Sequence, residues 1–367
     1  MRAWLEVDLD TVRRNLEIVR RSVGTGVEVI AVVKADAYGM GIKEISRVLD
    51  GGNVAMFAVI SLDEARKVRE ASSKPVLIMG YLEPKEIVSA IEEGYVLSLF
   101  DNELAAIYER LAARLERTAR VHLKVDTGLN RLGVSSGEAV DLLVNQRHYP
   151  HIRIEAIFSH LIKSTNRPSN ERQLQKIREL LLTIQSRCEL LPVHLVNSGA
   201  LADFSDGYFD AVRIGLAFSG VDETILPGLE PCLRAKSVIV QVRTIDKGEG
   251  VSYDHLFIAA REMKVAVVAI GYAEGYSQAL SGKAEVVVQG QRVKVLGKIC
   301  MNFIVIDVTG LDVRRGEEVV LVGSQTGPNG QKAEVHVSEL AKWCGLRHHE
   351  VVTRLGTSLP RDYYGGR

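Results

Sequence analysis

The hydrophobic rhythm of this chain changes once, near residue 227. Before that point eight short apolar or β-rich runs recur, beginning near Val29, Ala55, Pro75, Val96, Val121, Ile154, Val193 and Ala211. Runs that are apolar without alternation suit strands covered on both faces. Amphipathic stretches lie between them. Over residues 10–23, for example, Val12, Leu16, Val19 and Val23 fall on one helical face behind an aspartate N-cap. Eight such units in succession predict an α/β fold, a (β/α)8 TIM-type barrel over residues 9–227. A doubly wound sheet is the rival. It is disfavoured because no complete GxGxxG follows the first strand: Gly24-Thr25-Gly26 and Gly39-Met40-Gly41 both stop short.

After Pro227 the chain reads as strands with tight turns: residues 237–244, 264–271, 285–288 and 293–295 around Gln289-Gly290, then 318–322. Residues 228–367 are therefore expected to form a mostly-β, even all-β, C-terminal domain. A first strand within residues 1–8 could join either unit. No low-complexity linker separates the two, so they are expected to pack tightly.

Composition narrows the function classes. The 367 residues are 46% hydrophobic and 25% charged, the profile of an ordinary globular protein. Forty-six basic residues balance 46 acidic ones, so there is no basic excess of the kind that nucleic-acid or membrane-surface binding usually needs. The first eight residues lack the apolar core of a signal peptide, and no apolar run is long enough to span a bilayer. A cytoplasmic address is the expectation. Cys188, Cys232, Cys300 and Cys344 are scattered without CxxC spacing, which points to neither a metal site nor a disulfide framework.

In a barrel of this kind, chemistry gathers where the strands end. Lys34 closes the first apolar run, Val29-Ile30-Ala31-Val32-Val33. Desolvation there would lower its pKa and free the amine to form a Schiff base with an aldehyde. Asp126, followed by Thr127-Gly128-Leu129-Asn130-Arg131, ends the fifth strand, and His160 ends the sixth. Asn197-Ser198-Gly199 ends the seventh and Arg213-Ile214-Gly215-Leu216 the eighth, where barrels commonly bind phosphate through amides and a hydroxyl. Taken singly, each has a bland explanation: a snorkelling lysine, a buried histidine, a salt-bridging arginine, a turn. An amine and a phosphate cradle on one barrel face together imply pyridoxal 5'-phosphate. His348-His349-Glu350 looks like a metal cluster, but adjacent helical residues point apart, and it is read as structural or surface.

These segments resemble the alanine racemases, fold-type III pyridoxal-phosphate enzymes. The likeness is carried by residues 31–39, Lys124-Val125-Asp126-Thr127-Gly128-Leu129-Asn130-Arg131-Leu132-Gly133 and Val212-Arg213-Ile214-Gly215. It continues in Val251-Ser252-Tyr253, Gly271-Tyr272-Ala273-Glu274-Gly275-Tyr276 and Ile299-Cys300-Met301, in the family's order across both domains. The resemblance implies a homodimer with shared active sites that interconverts L- and D-alanine, feeding peptidoglycan in a bacterium. Lys34 would hold the cofactor and serve as one base, and Tyr253 of the partner subunit would be the second. His160 would link that tyrosine to Arg213, which would face the pyridine nitrogen. A guanidinium does not give up its proton, so the ring nitrogen stays unprotonated and side reactions such as transamination and decarboxylation are limited. Tyr38 and Ser198, with Asn197 and the Gly215 and Leu216 amides, would bind the cofactor. Arg131 would reach both the cofactor and the substrate carboxylate, Met301 would contact substrate, and Lys124 matches a position often carbamylated to hold that arginine.

The chain departs from the family pattern at Met40, commonly histidine, and at Asn302, commonly an acid. Residues 159–166 are also unusual, and Thr357 stands where some members have a phosphate-contacting tyrosine. Asn302 motivates the nearest alternative, a racemase of serine, lysine or several amino acids. A barrel decarboxylase is disfavoured by the motifs around Arg213 and Tyr253. A non-catalytic pyridoxal-phosphate-binding protein would be expected to end after the barrel.

Overall fold

The computed structural model describes residues 2–163 and 165–366; Met1, Ser164 and Arg367 lie outside the described residues. Strand β1 (Ala3–Asp8) runs into helix α1 (Leu9–Val23), whose N-cap is Asp8: its side chain accepts the Thr11 amide at 3.0 Å. Val12, Leu16, Val19 and Val23 make the buried face of α1, as the periodicity requires.

Eight parallel strands then close a barrel: β2 (Glu28–Val32), β3 (Met56–Val59), β4 (Val76–Ile78), β5 (Val96–Leu99), β6 (Ala119–Lys124), β7 (Ile152–Phe158), β8 (Val193–Asn197) and β9 (Ala211–Ile214), with β2 pairing β9. Each lies within a few residues of an apolar run seen in the sequence. After β2 comes α2 (Lys34–Tyr38), a single turn treated below. Helices α3 (Ile42–Asp50), α4 (Leu62–Arg69), α5 (Pro84–Glu92), α6 (Asn102–Arg114), α7 (Ser136–Val144) and α8 (Arg167–Gln185) follow between the strands.

The barrel interior is divided. On the β2–β5 side, with Ala211 of β9, it is an apolar plug of Ile30, Val32, Met56, Ala58, Leu77, Val96 and Ala211. On the β6–β9 side it holds His122, Lys124, His194 and Arg213, all at least nine-tenths buried. His122 and Lys124 are two apart on β6, and the strand's period of two turns both to the same face. Large apolar side chains buried outright contribute about 1.5–3 kcal/mol each; the polar half forgoes that contribution.

The rest of the chain carries β10 (Leu233–Ile245), β11 (Gly250–Val251), β12 (Phe257–Ile258), β13 (Met263–Val268), β14 (Glu285–Val288), β15 (Gln291–Leu296), β16 (Ile304–Asp307), β17 (Glu318–Thr326), β18 (Lys332–Val335) and β19 (Arg361–Tyr364). The β10–β17 pairing closes a ring of strands through β13, β16, β15 and β14. β1 flanks it, antiparallel to β10 and parallel to β19. Two helices amend the all-β expectation, α9 (Val337–Cys344) and α10 (His348–Ser358). α10 packs on α2 so closely that a Cβ on Gly39 would lie 2.8 Å from the Gly356 Cα, so both positions demand glycine.

Candidate active site

Lys34 stands at the carboxyl end of β2, and the turn it opens winds the wrong way. Ala35, Asp36, Ala37 and Tyr38 have φ of 53°, 53°, 54° and 56°. None is glycine, and the left-handed region costs about 1–2 kcal/mol per residue, roughly 4–8 kcal/mol over the turn. Several contacts offset this. Ala37 N–H donates to Val33 O at 2.8 Å, Gly39 N–H to Ala35 O at 2.9 Å and Ile42 N–H to Asp36 Oδ1 at 2.8 Å. Asp36 also pairs with Arg361 of β19, and Glu64 of α4 accepts the Ala35 amide at 2.6 Å. Strain retained at this cost marks a functional position. Burial, then the charges of Arg131 and Arg213, lowers the Lys34 pKa, while Glu64 acts the other way.

Arg213 is the centre of the polar half-barrel. One terminal nitrogen, NH1, donates to the carbonyl of His194 at 2.7 Å and to its Nδ1 at 2.8 Å. The other, NH2, donates to the carbonyls of Ser159 at 2.6 Å and Leu195 at 3.1 Å, and meets His160 Nδ1 at 3.3 Å. Nε has no hydrogen-bond partner and no carboxylate pairs with the group, among the described residues. Burial draws its pKa down to about 10, which still leaves it charged at neutral pH.

A guanidinium only donates, so the Nδ1 atoms of His194 and His160 must accept, and each ring carries its proton on Nε2. His194 Nε2 then donates to His122 Nδ1 at 2.9 Å. Burial and the nearby cations keep all three rings neutral: His160 falls to about 3, His122 to about 4 and His194 well below the ordinary histidine value. Phe158 stacks on His194 at 4.9 Å between ring centres, with the Lys124 amine 5.0 Å from its ring centroid.

At the ends of β8 and β9, Ser198 Oγ accepts the Gly215 amide at 3.0 Å. The Tyr38 ring packs against Gly215, where a Cβ would sit 2.6 Å from its Cε2. Burial raises the Tyr38 pKa to about 12, so its hydroxyl remains a donor. Asn197 turns inward on its own loop, accepting the Gly199 amide at 3.2 Å. Asp126 shapes the loop that carries Arg131 by accepting the Gly128 and Asn130 amides at 2.8 and 2.9 Å. Lys124 is 5% exposed, and burial with the charges of Arg213 and Arg131 brings its pKa to about 8.

One cavity of about 1240 Å³ gathers Lys34, Tyr38, Lys124, Arg131, His160, Asn197, Ser198, Arg213, Gly215 and Leu216. Tyr253 and Met301 are not among its lining residues. They sit on neighbouring loops of the C-terminal domain, 66% and 55% exposed. Ser252 Oγ–H donates to Lys298 O at 2.5 Å and Lys298 pairs with Asp254 at 2.6 Å, tying the two loops together. Asn302 donates its amide to Glu274 at 2.7 Å. Thr357 spends its hydroxyl on Thr353 O at 2.7 Å within α10. His348 and His349, read as structural or surface, both line the cavity, and His348 pairs with Asp222 at 3.1 Å. Sequence reasoning missed Glu64, His122, His194 and Phe158. Their signals were an S-x-x-E pattern at Ser61–Glu64 and two histidines inside strand runs.

The donor set suits a flat cofactor with an aldehyde at one end of its ring and a phosphate at the other. It offers an amine of lowered pKa, an unengaged guanidinium Nε, and hydroxyls and amides at two strand ends; Asp222, the carboxylate among the described lining residues, is paired with His348. That is the donor set a pyridoxal-phosphate-dependent barrel enzyme would need. Comparison with known proteins agrees. The sequence model of the alanine racemase N-terminal domain matches residues 7–223 and that of the C-terminal domain residues 232–363. An alanine racemase of Geobacter sulfurreducens is 35% identical, with 98% of this chain and 96% of that protein covered. The crystal structure of alanine racemase from a D-cycloserine-producing Streptomyces lavendulae superimposes with a TM-score of 0.92 at 29% identity, covering 100% and 98% of the two chains. That from Bartonella henselae, with covalently bound pyridoxal phosphate, gives 0.88 at 27% identity and covers 99% and 100%. The chain belongs to the alanine racemase family, isomerases acting on amino acids.

Proposed function

We propose that this protein is a homodimeric racemase that interconverts L- and D-alanine with pyridoxal phosphate, using Lys34 and Tyr253 of the partner subunit as its two bases. The observation that carries the reading is the split of the machinery: a cavity complete on the Lys34 side, and an exposed Tyr253 held out on a braced loop. Racemisation needs a proton removed from one face of Cα and returned to the other. Tyr253, Leu256, Ile258, Tyr272, Met301 and Phe303 are all exposed on the C-terminal domain, apolar surface that suits a second copy of the chain.

When bound, pyridoxal phosphate supplies an aldehyde for the substrate amine and a conjugated ring that stabilises the electron pair left at Cα. The residues do the rest. Ser198, Tyr38 and the amides at Gly215 and Leu216 hold the phosphate, with Asn197 shaping their loop. Arg131 orients the substrate carboxylate beside Met301 of the partner subunit, and a carbamate on Lys124 would pair with Arg131. Arg213 would offer Nε–H to the ring nitrogen and, because a guanidinium does not release its proton, would leave that nitrogen unprotonated. His160, neutral with its proton on Nε2, is set to donate to the tyrosinate of the partner and steady it as a base. Lys34 takes or returns the proton on the near face. A role in supplying D-alanine to peptidoglycan and a cytoplasmic address belong to the same proposal; among the described residues no helix is long and apolar enough to cross a membrane.

A broader racemase is the second reading, favoured by Asn302, whose neutral amide binds Glu274 where an acid would repel it. Proton NMR in deuterated water tests both, with alanine, serine, lysine and glutamate incubated separately with the loaded protein. Fastest loss of the alanine α-proton, with the opposite enantiomer formed, is expected. Comparable exchange of serine or lysine supports the broader enzyme, and no exchange refutes racemisation. The Tyr253→Phe protein should keep its cofactor colour and lose racemisation; full activity would refute the two-base assignment.

A further inference from the structure

Glu64 occupies the fourth place of Ser61-Leu62-Asp63-Glu64, a sequence that ordinarily makes a capping box. Half of that box forms: Ser61 Oγ accepts the Glu64 amide at 3.2 Å. The reciprocal bond to the Ser61 amide is not made. Instead the Glu64 carboxylate leaves its own helix and bridges two barrel strands, one oxygen taking the Ala35 amide at 2.6 Å and the Asp36 amide at 3.4 Å, the other the Ile60 amide at 3.0 Å. Ile60 directly follows β3, and Ala35 directly follows Lys34. The carboxylate therefore grips the left-handed turn at its first residue.

We propose that Glu64 is a positioning residue for Lys34: it fixes the turn that aims the lysine amine at the cofactor aldehyde, and it supplies the amine's negative counter-charge. The inference rests on Lys34 being the cofactor lysine. The electrostatics agree with the geometry. Arg131 and Arg213 depress the Lys34 pKa and, among the described residues, Glu64 is the group that raises it. The other groups facing that amine bring no counter-charge, since Lys124 is basic and His160 and His349 carry no negative charge. Asp36, one residue beyond Ala35, is engaged by Arg361.

The test is a pH titration of the visible absorbance of the cofactor-loaded protein, with cofactor loss followed during dialysis. Wild type is compared with Glu64→Gln, Glu64→Asp, Ser61→Ala and Lys34→Ala. Glu64→Gln removes the charge and turns an N–H against one of the amides. It is expected to move the absorbance transition down by about one pH unit and to lose cofactor faster. Glu64→Asp keeps the charge at shorter reach, so the transition should stay near the wild-type pH while cofactor loss quickens. Ser61→Ala removes the cap of the same helix and should lower thermal stability without moving the transition.

A Glu64→Gln curve and dialysis rate that superimpose on wild type would overturn the proposal. So would a Ser61→Ala shift equal to that of Glu64→Gln, which would make the effect one of helix integrity. If Glu64→Gln does not fold, Glu64→Asp decides: unchanged retention overturns, faster loss at unchanged pH supports. Wild-type absorbance that Lys34→Ala leaves intact would instead refute the cofactor assignment, and this inference with it.

Discussion

Replacing Gly215 with alanine isolates one contact in the phosphate cradle. The backbone there has φ −138°, outside the left-handed region that favours glycine, so the contact of the added methyl group is the effect worked out below. That methyl would lie 2.5 Å from Tyr38 Oη and 2.6 Å and 2.8 Å from two ring carbons. A comfortable carbon contact is about 3.5 Å, so the ring must retreat by about 1 Å. A hydroxyl displaced that far no longer makes a hydrogen bond. Losing one bond to a charged phosphate is worth about 1.5–3 kcal/mol, which is roughly 10- to 150-fold in cofactor affinity. Overpacking adds a stability loss of about 1–3 kcal/mol. Pyridoxal phosphate titration of the cofactor-free protein, followed by absorbance, measures the affinity for wild type, Gly215→Ala, Tyr38→Phe and the double variant. If the methyl acts through the Tyr38 hydroxyl, the double variant is no weaker than the worse single one, a coupling of about 1.5–3 kcal/mol. Strict additivity would refute this account of the cradle.

Leu256→Glu places a charge on the exposed apolar surface of the C-terminal domain. It should give a monomer by sedimentation that keeps cofactor colour and loses racemisation; an active dimer would remove that surface from the interface. His122 and His194 are neutral when folded, with His122 at about 4 against an ordinary value of 6.5. His160, at about 3, behaves alike. Unfolding therefore takes up protons as pH falls from 6.5 towards 4, and stability declines across that window by about 1.4 kcal/mol per pH unit per histidine, about 4 for the three. Urea midpoints against pH check this, and His122→Asn should lower the slope by about a third. With its pKa near 8, Lys124 is substantially a free amine under mildly alkaline conditions, the form that adds carbon dioxide. Intact mass in bicarbonate should show one added carbon dioxide that Lys124→Ala abolishes.

The barrel was legible because parallel strands covered on both faces leave uninterrupted apolar runs, and α1 because four apolar residues repeat at helical spacing. Its start was read one residue late, at residue 10, because the cap is settled only where Asp8 accepts the Thr11 amide. Lys34, Arg213 and Ser198 could be found because strand ends are a place defined by sequence. The left-handed turn could not. Ala35-Asp36-Ala37-Tyr38 contains no glycine and reads as an ordinary helix start, and what bends it lies on α4 and β19, far away in the chain. The His122–His194–Arg213 chain was hidden for a related reason: each histidine sits within an apolar strand run, and only barrel closure brings the three together. α9 and α10 were lost because the strand pattern before them set the expected period.

Asp36 and its partner Arg361 lie 325 residues apart, and Gly39 meets Gly356 across a similar span. During synthesis Asp36 emerges 325 residues before Arg361, the group that fastens it. The turn beside Lys34 therefore cannot be latched until β19 has been made. A chain cut short before β19 lacks that latch, so cofactor capture would report whether the two distant segments have met.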